Sequence, residues 1–197
     1  MLPHRRRFFF SAKGNLAYRA DGWSGAVSFW VNIDPNTMLK MPFCDPIQIT
    51  HKGANDGGLW TDFPDSKPRA FRLAAFSAVG EGEKAMSEAN PAAPLVTVKE
   101  IGFKQGQWNH VVMNWRNFDT GKPNAEAALY INGKLVGTVQ NRPLAMRWDM
   151  EQTGIYVAVN YIGLLDELAI FNRPLTAEEI GILYQLRERP GEAFEKK

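Results

Sequence analysis

Apolar and polar residues alternate along most of the chain, which is the pattern of strands that bury one face. The clearest case is the run from Val27 to Ile33, in which every second residue is apolar. Similar runs, bounded by Gly, Pro, Asn or Asp, predict strands over 46–51, 59–63, 70–77, 95–103, 108–116, 125–132, 134–140, 154–159 and 163–172.

Two turn signals join neighbouring strands. Asn132 and Gly133 separate two apolar runs and readily take the positive φ angles of a type I′ turn, so they predict a two-residue hairpin. The proline-rich stretch 64–68 predicts a second hairpin. Two long polar loops, 80–94 and 141–153, are of a length that often carries function.

One short helix is predicted near the C-terminus. Thr176 can cap its start, and Glu179, three residues later, completes a capping box. Ile180, Leu183 and Tyr184 then follow at helical spacing.

About ten strands without intervening helices predict an all-β fold of two antiparallel sheets packed face to face. The length of 197 residues suits one such domain. We therefore expect a single domain over 1–197, with flexible ends near 1–13 and 190–197.

Charge and composition exclude several classes of function. The net charge is +2, and the only basic cluster, His4 to Arg7, is too small for a nucleic-acid reader. No apolar stretch is long enough to cross a bilayer, and the run Phe8 to Phe10 is too short for a signal peptide. The single Cys44 excludes an intrachain disulfide and is expected in the core.

Three segments resemble the laminin-G-like domains of the concanavalin A-like lectin/glucanase superfamily. The first is SGAVSFWV from Ser24, and the second combines GQWNHVV from Gly106 with LYINGK from Leu129. The third is the closing segment LLDELAIFNRPLTAEEI from Leu164. The stretch from Cys44 to Phe76 does not match the family pattern. The resemblance implies a two-sheet jelly roll of the concanavalin A-like type.

The resemblance also implies a function. Domains of this kind serve as recognition modules of secreted or surface proteins, so we expect a glycan or protein ligand and an extracytoplasmic location. The alternative is a structural or accessory domain of a larger protein. The fold alone does not decide between these functions.

Catalysis is a further alternative, because some relatives are glycoside hydrolases. These enzymes need two carboxylates on one face, and the alternating carboxylates of laminarinase-type strands are absent here. Asp149 and Glu151 have the required i, i+2 spacing and are the candidates for a divergent hydrolase. His110 lies in no catalytic pattern and is expected to be a packed, hydrogen-bonded structural residue.

A structural calcium ion is implied by the resemblance, since loop carboxylates suit this metal. Asp166 corresponds to a ligand position of the family, and Asp21 is the candidate second ligand. The alternative for Asp166 is a carboxylate that supports a turn or strand pairing.

Sugar binding requires exposed aromatic planes beside hydrogen-bonding groups. The candidates, which lie near polar residues such as Asp62, are Trp60, Trp115, Trp148 and Tyr161. The alternative is packing in the core or at its edge, where large aromatic side chains usually lie.

Overall fold

The structure, a computed structural model, describes residues 7–186. Of the predicted flexible ends, 1–13 and 190–197, residues 1–6 and 190–197 lie outside the described residues. Eleven strands are described: β1 (Phe8–Ser11), β2 (Trp23–Asn32), β3 (Cys44–Gly53), β4 (Asp56–Phe63), β5 (Phe71–Phe76), β6 (Leu95–Val98), β7 (Trp108–Phe118), β8 (Ala125–Ile131), β9 (Lys134–Arg142), β10 (Gly154–Val159) and β11 (Leu164–Phe171). Two helices accompany them: α1 (Pro35–Met38) and α2 (Ala177–Leu186).

The strands form two antiparallel sheets, so the all-β sandwich prediction is confirmed. One sheet has six strands in the order β1-β10-β3-β4-β5-β6. The other has five, in the order β11-β2-β7-β8-β9. Strands distant in sequence are neighbours in both sheets, as in a jelly roll.

The core lies between the two sheets. Alternate side chains of β2 and β7, such as Phe29 and Met113, meet those of β3 and β4, such as Ile49 and Leu59, and all four are fully buried. Cys44 belongs to this cluster, as predicted, and burial raises the pKa of its thiol to about 11. The cysteine is therefore a small apolar core residue that stays protonated at neutral pH.

The local signals in the sequence correspond to observed turns and caps. Asn132 and Gly133 have φ angles of 51° and 75°, as a type I′ hairpin requires. The Thr176 hydroxyl accepts a hydrogen bond from the Glu179 backbone N–H at 3.2 Å, while the Glu179 carboxylate accepts one from the Thr176 N–H at 2.8 Å. The capping box at the start of α2 is confirmed.

Strand β1 lies within the N-terminal stretch that was expected to be flexible. It pairs along its whole length with β10, with Phe9 opposite Tyr156. Its phenylalanine side chains remain 49–67% exposed, so backbone pairing, rather than burial of the side chains, holds the strand. This is why hydrophobic alternation alone did not predict it.

Candidate functional site

The outer face of the six-stranded sheet carries a row of charged side chains. Asp62 on β4 lies opposite Arg72 on β5, which lies opposite Thr97 on β6. Their neighbours along each strand, such as Leu73 and Phe63, face the core, so alternation directs this row away from it. Both Asp62 and Arg72 are nevertheless buried, at 1% and 8% exposure.

Arg72 is the centre of this cluster. Its Nε donates to Asp62 Oδ1 at 2.8 Å and its Nη2 to Asp62 Oδ2 at 2.5 Å. Nη2 also lies 2.8 Å from Glu88 Oε2. The guanidinium is 5.2 Å from the centre of the Trp60 ring and 5.9 Å from that of Phe43. Such a bidentate, cation–π-supported arginine has a fixed orientation.

Asp45 adds a third carboxylate. It lies in a bulge of β3 opposite the end of β4, where its charge interacts with those of Asp62, Arg72 and Glu88. Burial, and then the negative charge of Asp62, raise the pKa of Asp45 to about 8. Burial also raises the pKa of Asp62, and the hydrogen bonds from Arg72 oppose that rise. The protonated form of Asp45 is therefore the one that the fold favours at neutral pH.

The long loop 80–94 covers part of this face. Its Glu88 reaches Arg72, and Asn55 Nδ2 donates to Glu88 Oε1 at 3.3 Å. At the loop's end, Ala93 packs on the small apolar cluster around Trp60, and the Ala92 carbonyl accepts from Arg142 at 2.8 Å. The loop explains why charged residues on an outer face are so well buried.

Beside the covered part, a pocket of about 500 Å³ remains open. Arg72 and Glu88 form part of its wall, and Thr97 and Lys99 extend from β6 and beyond it. The 64–68 turn also lines the pocket, with Ser66, Lys67 and two prolines. The pocket therefore places fixed donors and acceptors of both charges beside apolar proline rings, at a size typical of small-ligand sites.

Three of the four aromatic side chains that were predicted to contact a ligand are buried. Trp60 is 2% exposed, packs beside Phe76 and donates from Nε1 to the Ala54 carbonyl at 2.8 Å. Trp115 is 1% exposed, and Trp148 is 6% exposed with its Nε1 bonded to the Gly57 carbonyl at 2.6 Å.

The core alternative is thus the one observed for the three tryptophans. Trp115 and Trp148 pack around Trp23, at ring distances of 4.6 and 4.9 Å, so no ring plane faces solvent. Tyr161 is half-buried, its hydroxyl donates to the Leu164 carbonyl at 3.2 Å, and burial raises its pKa. Of the four candidates, only Tyr161 is more than slightly exposed to solvent.

The two candidate calcium ligands lie far apart. Asp166 on β11 is opposite Trp30, near the end of β2, whereas Asp21 precedes Trp23 at its start. The seven intervening steps of β2 span about 23 Å at ~3.3 Å per residue. These two carboxylates therefore do not fit one calcium ion.

Each of the two also has a local role. Both Asp21 carboxylate oxygens accept from Arg19, at 3.1 and 3.0 Å, and Asp166 Oδ1 accepts from the Glu167 N–H at 2.8 Å. The latter is the turn-supporting role considered from the sequence. Within residues 7–186, no group of three or more His, Cys, Asp or Glu side chains is placed to hold a metal.

Asp149 and Glu151 lie in an exposed turn instead of on a strand. Asp149 supports that turn by accepting hydrogen bonds from the Glu151 N–H and the Gln152 side chain, at 3.0 and 2.8 Å. Glu151 forms an ion pair with Lys13. The spacing that suggested a carboxylate pair on one strand face therefore does not produce one.

His110 has the packed, hydrogen-bonded environment expected from the sequence. Its Nε2 lies 2.8 Å from the Ser28 hydroxyl, and its ring packs 4.9 Å from that of Trp30. Burial lowers its pKa to about 4, so the imidazole is neutral at physiological pH.

Sequence reasoning missed most of the Arg72 cluster. It singled out Asp62 only as a polar neighbour of Trp60, and it did not consider Asp45, Arg72 or Glu88. A usable signal was present: Asp62 and Arg72 carry opposite charges at equivalent positions on either side of the predicted 64–68 hairpin turn. Glu88, in the middle of a polar loop, had no such signal.

The two-sheet topology, with one face partly covered by a loop, defines a lectin-like β-sandwich. A model of the concanavalin A-like lectin/glucanases superfamily matches residues 13–181, and the chain belongs to this superfamily. The family resemblance seen in the sequence is thereby confirmed. A comparison with curated protein sequences gives no match.

Solved structures with the same fold are distant in sequence. The binding domain of botulinum neurotoxin DC, in complex with rat synaptotagmin II, has a TM-score of 0.56 and 16% identity over 91% of this chain and 40% of that one. The same toxin domain in complex with SialylT has a TM-score of 0.53 and 18% identity, over 85% of this chain and 36% of that one.

A third structure is domain 4 of AbnA, an extracellular GH43 arabinanase from Geobacillus stearothermophilus, in complex with arabinotriose. It has a TM-score of 0.50 and 19% identity over 84% of this chain and 68% of that domain. The chain thus spans about two fifths of the toxin domains that it matches. At these identities the likeness shows a shared fold.

Proposed function

We propose that this chain is a carbohydrate-binding module that recognises a glycan at the pocket beside Arg72. The observation that carries the proposal is the Arg72 guanidinium, held by Asp62, Glu88 and Trp60 at the wall of a pocket of about 500 Å³. Because the ion network at the pocket wall is buried and fixed, its hydrogen-bonding groups are already oriented. A ligand that binds there does not have to order these side chains.

The chemistry of the pocket suits a sugar. Each sugar hydroxyl both donates and accepts, so it pairs best where cationic donors and carboxylate acceptors alternate, as Arg72, Glu88, Lys99 and Glu100 do here. The apolar patches of a sugar ring can contact Pro64 and other nonpolar walls. Two of the similar structures contain a saccharide or a SialylT ligand, which supports this class of ligand. Such modules act outside the cytoplasm, and we extend the proposal to that location.

A glycan array followed by titration calorimetry tests the proposal. Thr97→Val and Lys99→Met remove one pocket group each at exposed positions. The controls on the other sheet are Lys134→Met, at an exposed position, and Thr138→Val, at a half-buried one. Loss of one hydrogen bond of about 1 kcal/mol should weaken affinity roughly fivefold in each pocket variant. Controls should bind as the wild type does.

Two results would contradict the proposal. One is the absence of binding to every glycan on the array, and the other is binding that the pocket and control variants weaken equally. Calorimetry with and without a chelator tests calcium in the same experiment. Hydrolysis of any polysaccharide in a panel would replace binding by catalysis.

A protein ligand is the second candidate. The supporting observation is β1, an edge strand whose Phe8, Phe9 and Phe10 side chains are 67%, 58% and 49% exposed. An exposed apolar edge strand can pair with a strand of another chain. One of the similar toxin domains is in complex with a protein, rat synaptotagmin II, which supports this class of ligand. The same β1 edge would serve a structural or accessory role within a larger protein.

A further inference from the structure

The loop 80–94 is anchored to the six-stranded sheet at both of its ends. At its start, the Val79 N–H donates to Asp56 Oδ1 at 3.0 Å, and at its end the Pro94 carbonyl accepts from the Ala75 N–H at 3.1 Å. Between these anchors, residues 81–92 are exposed at every position except Glu88. The loop therefore adds little to the core, and segments of this kind open at a lower free energy than the whole fold.

Glu88 is the main contact in the middle of the loop. Its Oε2 lies 2.8 Å from Arg72 Nη2, and its Oε1 accepts from Asn55 Nδ2 at 3.3 Å. Nearer the end of the loop, Arg142 Nη1 donates to the Ala92 carbonyl at 2.8 Å. One carboxylate thus connects the centre of the loop to the charged row on the sheet.

An apolar cluster of Trp60, Ala74 and Phe76 lies beneath the loop. These residues alternate along β4 and β5 with core residues such as Leu59, so they are on the outer face of the sheet. All three are nevertheless 2% exposed or less, and the rings of Trp60 and Phe76 are nearly parallel, with centres 6.1 Å apart. Ala93 packs on this outer apolar cluster, so the loop supplies part of its cover.

Two cavities adjoin the loop. The pocket of about 500 Å³ beside Arg72 has Glu88 in its lining. Another cavity, of about 470 Å³, is lined by Met86 and Asn90 of the loop together with Phe76 of the outer apolar cluster. The loop therefore borders open space at both places, and its movement does not require the displacement of core side chains.

We propose that the loop 80–94 is an autoinhibitory lid, which Glu88 latches to Arg72 and which opens between its two anchors to uncover the outer apolar cluster. In the closed state, Glu88 pairs with the guanidinium and Ala93 covers the cluster. In the open state, Arg72 stays bonded to Asp62 and keeps its orientation beside the uncovered rings. The lid does not depend on which ligand binds beside Arg72, and its opening is measured without one.

Thiol labelling of the full chain by iodoacetamide measures this opening. Ala74→Cys places a thiol beneath the loop at a fully buried position, and the native Cys44 in the core reports unfolding of the whole domain. Mass spectrometry of tryptic peptides separates the two thiols. The introduced thiol should react faster than Cys44, because the lid opens more often than the core unfolds. Glu88→Gln removes the charge of the latch, so it should speed labelling of the introduced thiol about tenfold and leave Cys44 unchanged.

A matched variant and a second measurement support this experiment. Glu81→Gln removes the same charge from an exposed position of the same loop and should leave both labelling rates unchanged. Hydrogen exchange of the indole N–H groups, followed by NMR, needs no added cysteine. The Trp60 N–H donates to the Ala54 carbonyl beneath the loop, whereas the Trp148 N–H is bonded within the core. Glu88→Gln should accelerate exchange at Trp60 and not at Trp148.

Three labelling results would overturn the proposal. They are an introduced thiol that reacts no faster than Cys44, equal acceleration by Glu81→Gln and Glu88→Gln, and an unchanged rate in Glu88→Gln. If Ala74→Cys does not fold, the indole exchange rates decide. Equal acceleration at Trp60 and Trp148 in Glu88→Gln, or none at Trp60, overturns the lid.

Discussion

Asp45 offers a direct test of the electrostatics of the outer face. Burial and the neighbouring Asp62 raise its pKa from 3.8 to about 8. Because the folded pKa lies above the unfolded one, the protonated carboxyl is favoured by folding. The contribution of Asp45 to the free energy of unfolding is therefore fully present below about pH 4, and it is lost as the pH rises to about 8. Asp45→Asn keeps the shape but cannot ionise, so it should remove this decline.

The size of the effect follows from the two pKa values. Each pH unit between them contributes about 1.4 kcal/mol, so ionisation of Asp45 costs on the order of 5 kcal/mol above pH 8. Part of this cost is already present at neutral pH. Between about pH 6 and about pH 9, the stability of Asp45→Asn relative to the wild type should therefore increase by roughly 3 kcal/mol.

Urea unfolding monitored by tryptophan fluorescence gives this difference at each pH. Groups that titrate identically in both proteins cancel in the comparison. Asp65→Asn, at an exposed position in the turn next to the cluster, reports the effect of removing one aspartate charge from the surface. If the stability advantage of Asp45→Asn stays constant or shrinks as the pH rises, Asp45 is ionised throughout and the burial argument is refuted.

Three further substitutions test how the scaffold is held. Arg69→Met removes a guanidinium that is 1% exposed and donates to four backbone carbonyls. The free energy of unfolding should therefore fall by about 3 kcal/mol or more, and a loss under ~1 kcal/mol would contradict this. Thr176→Ala removes the helix cap and should lower the free energy of unfolding by ~1 kcal/mol in the same assay. An unchanged free energy of unfolding would show that the capping box contributes nothing. Gly57→Ala would put a Cβ 2.7 Å from the Met146 carbonyl at a φ of 62°, so the melting temperature should drop, and an unchanged value would show that the backbone relaxes freely.

The sequence predicted the elements of the fold well because their signals are local. Alternation along a strand, the Asn132-Gly133 turn and the Thr176 capping box each depend on residues within a few positions of one another. The family segments then identified the sandwich. Strand β1 escaped prediction because its stability comes from pairing with β10, which is distant in the chain.

The candidate site was determined only by the tertiary structure. The Arg72 cluster joins residues from β3, β4, β5 and the loop 80–94, and three of its members lie in the stretch Cys44 to Phe76, which does not match the family pattern. No spacing in the sequence shows that a loop folds over a sheet face and buries charges there. Chain order likewise gave no sign that β2 separates Asp21 from Asp166.

The order of residues along the chain was enough to locate most strands and turns and to identify the superfamily. The accessibility of individual side chains, in contrast, became known only from the packing of the folded chain. A tryptophan has the same local pattern whether its ring faces solvent or the core, and Trp60, Trp115 and Trp148 proved to be buried. Burial depends on how the two sheets and their loops pack together, and that packing also brings the carboxylates and Arg72 close enough to change each other's pKa.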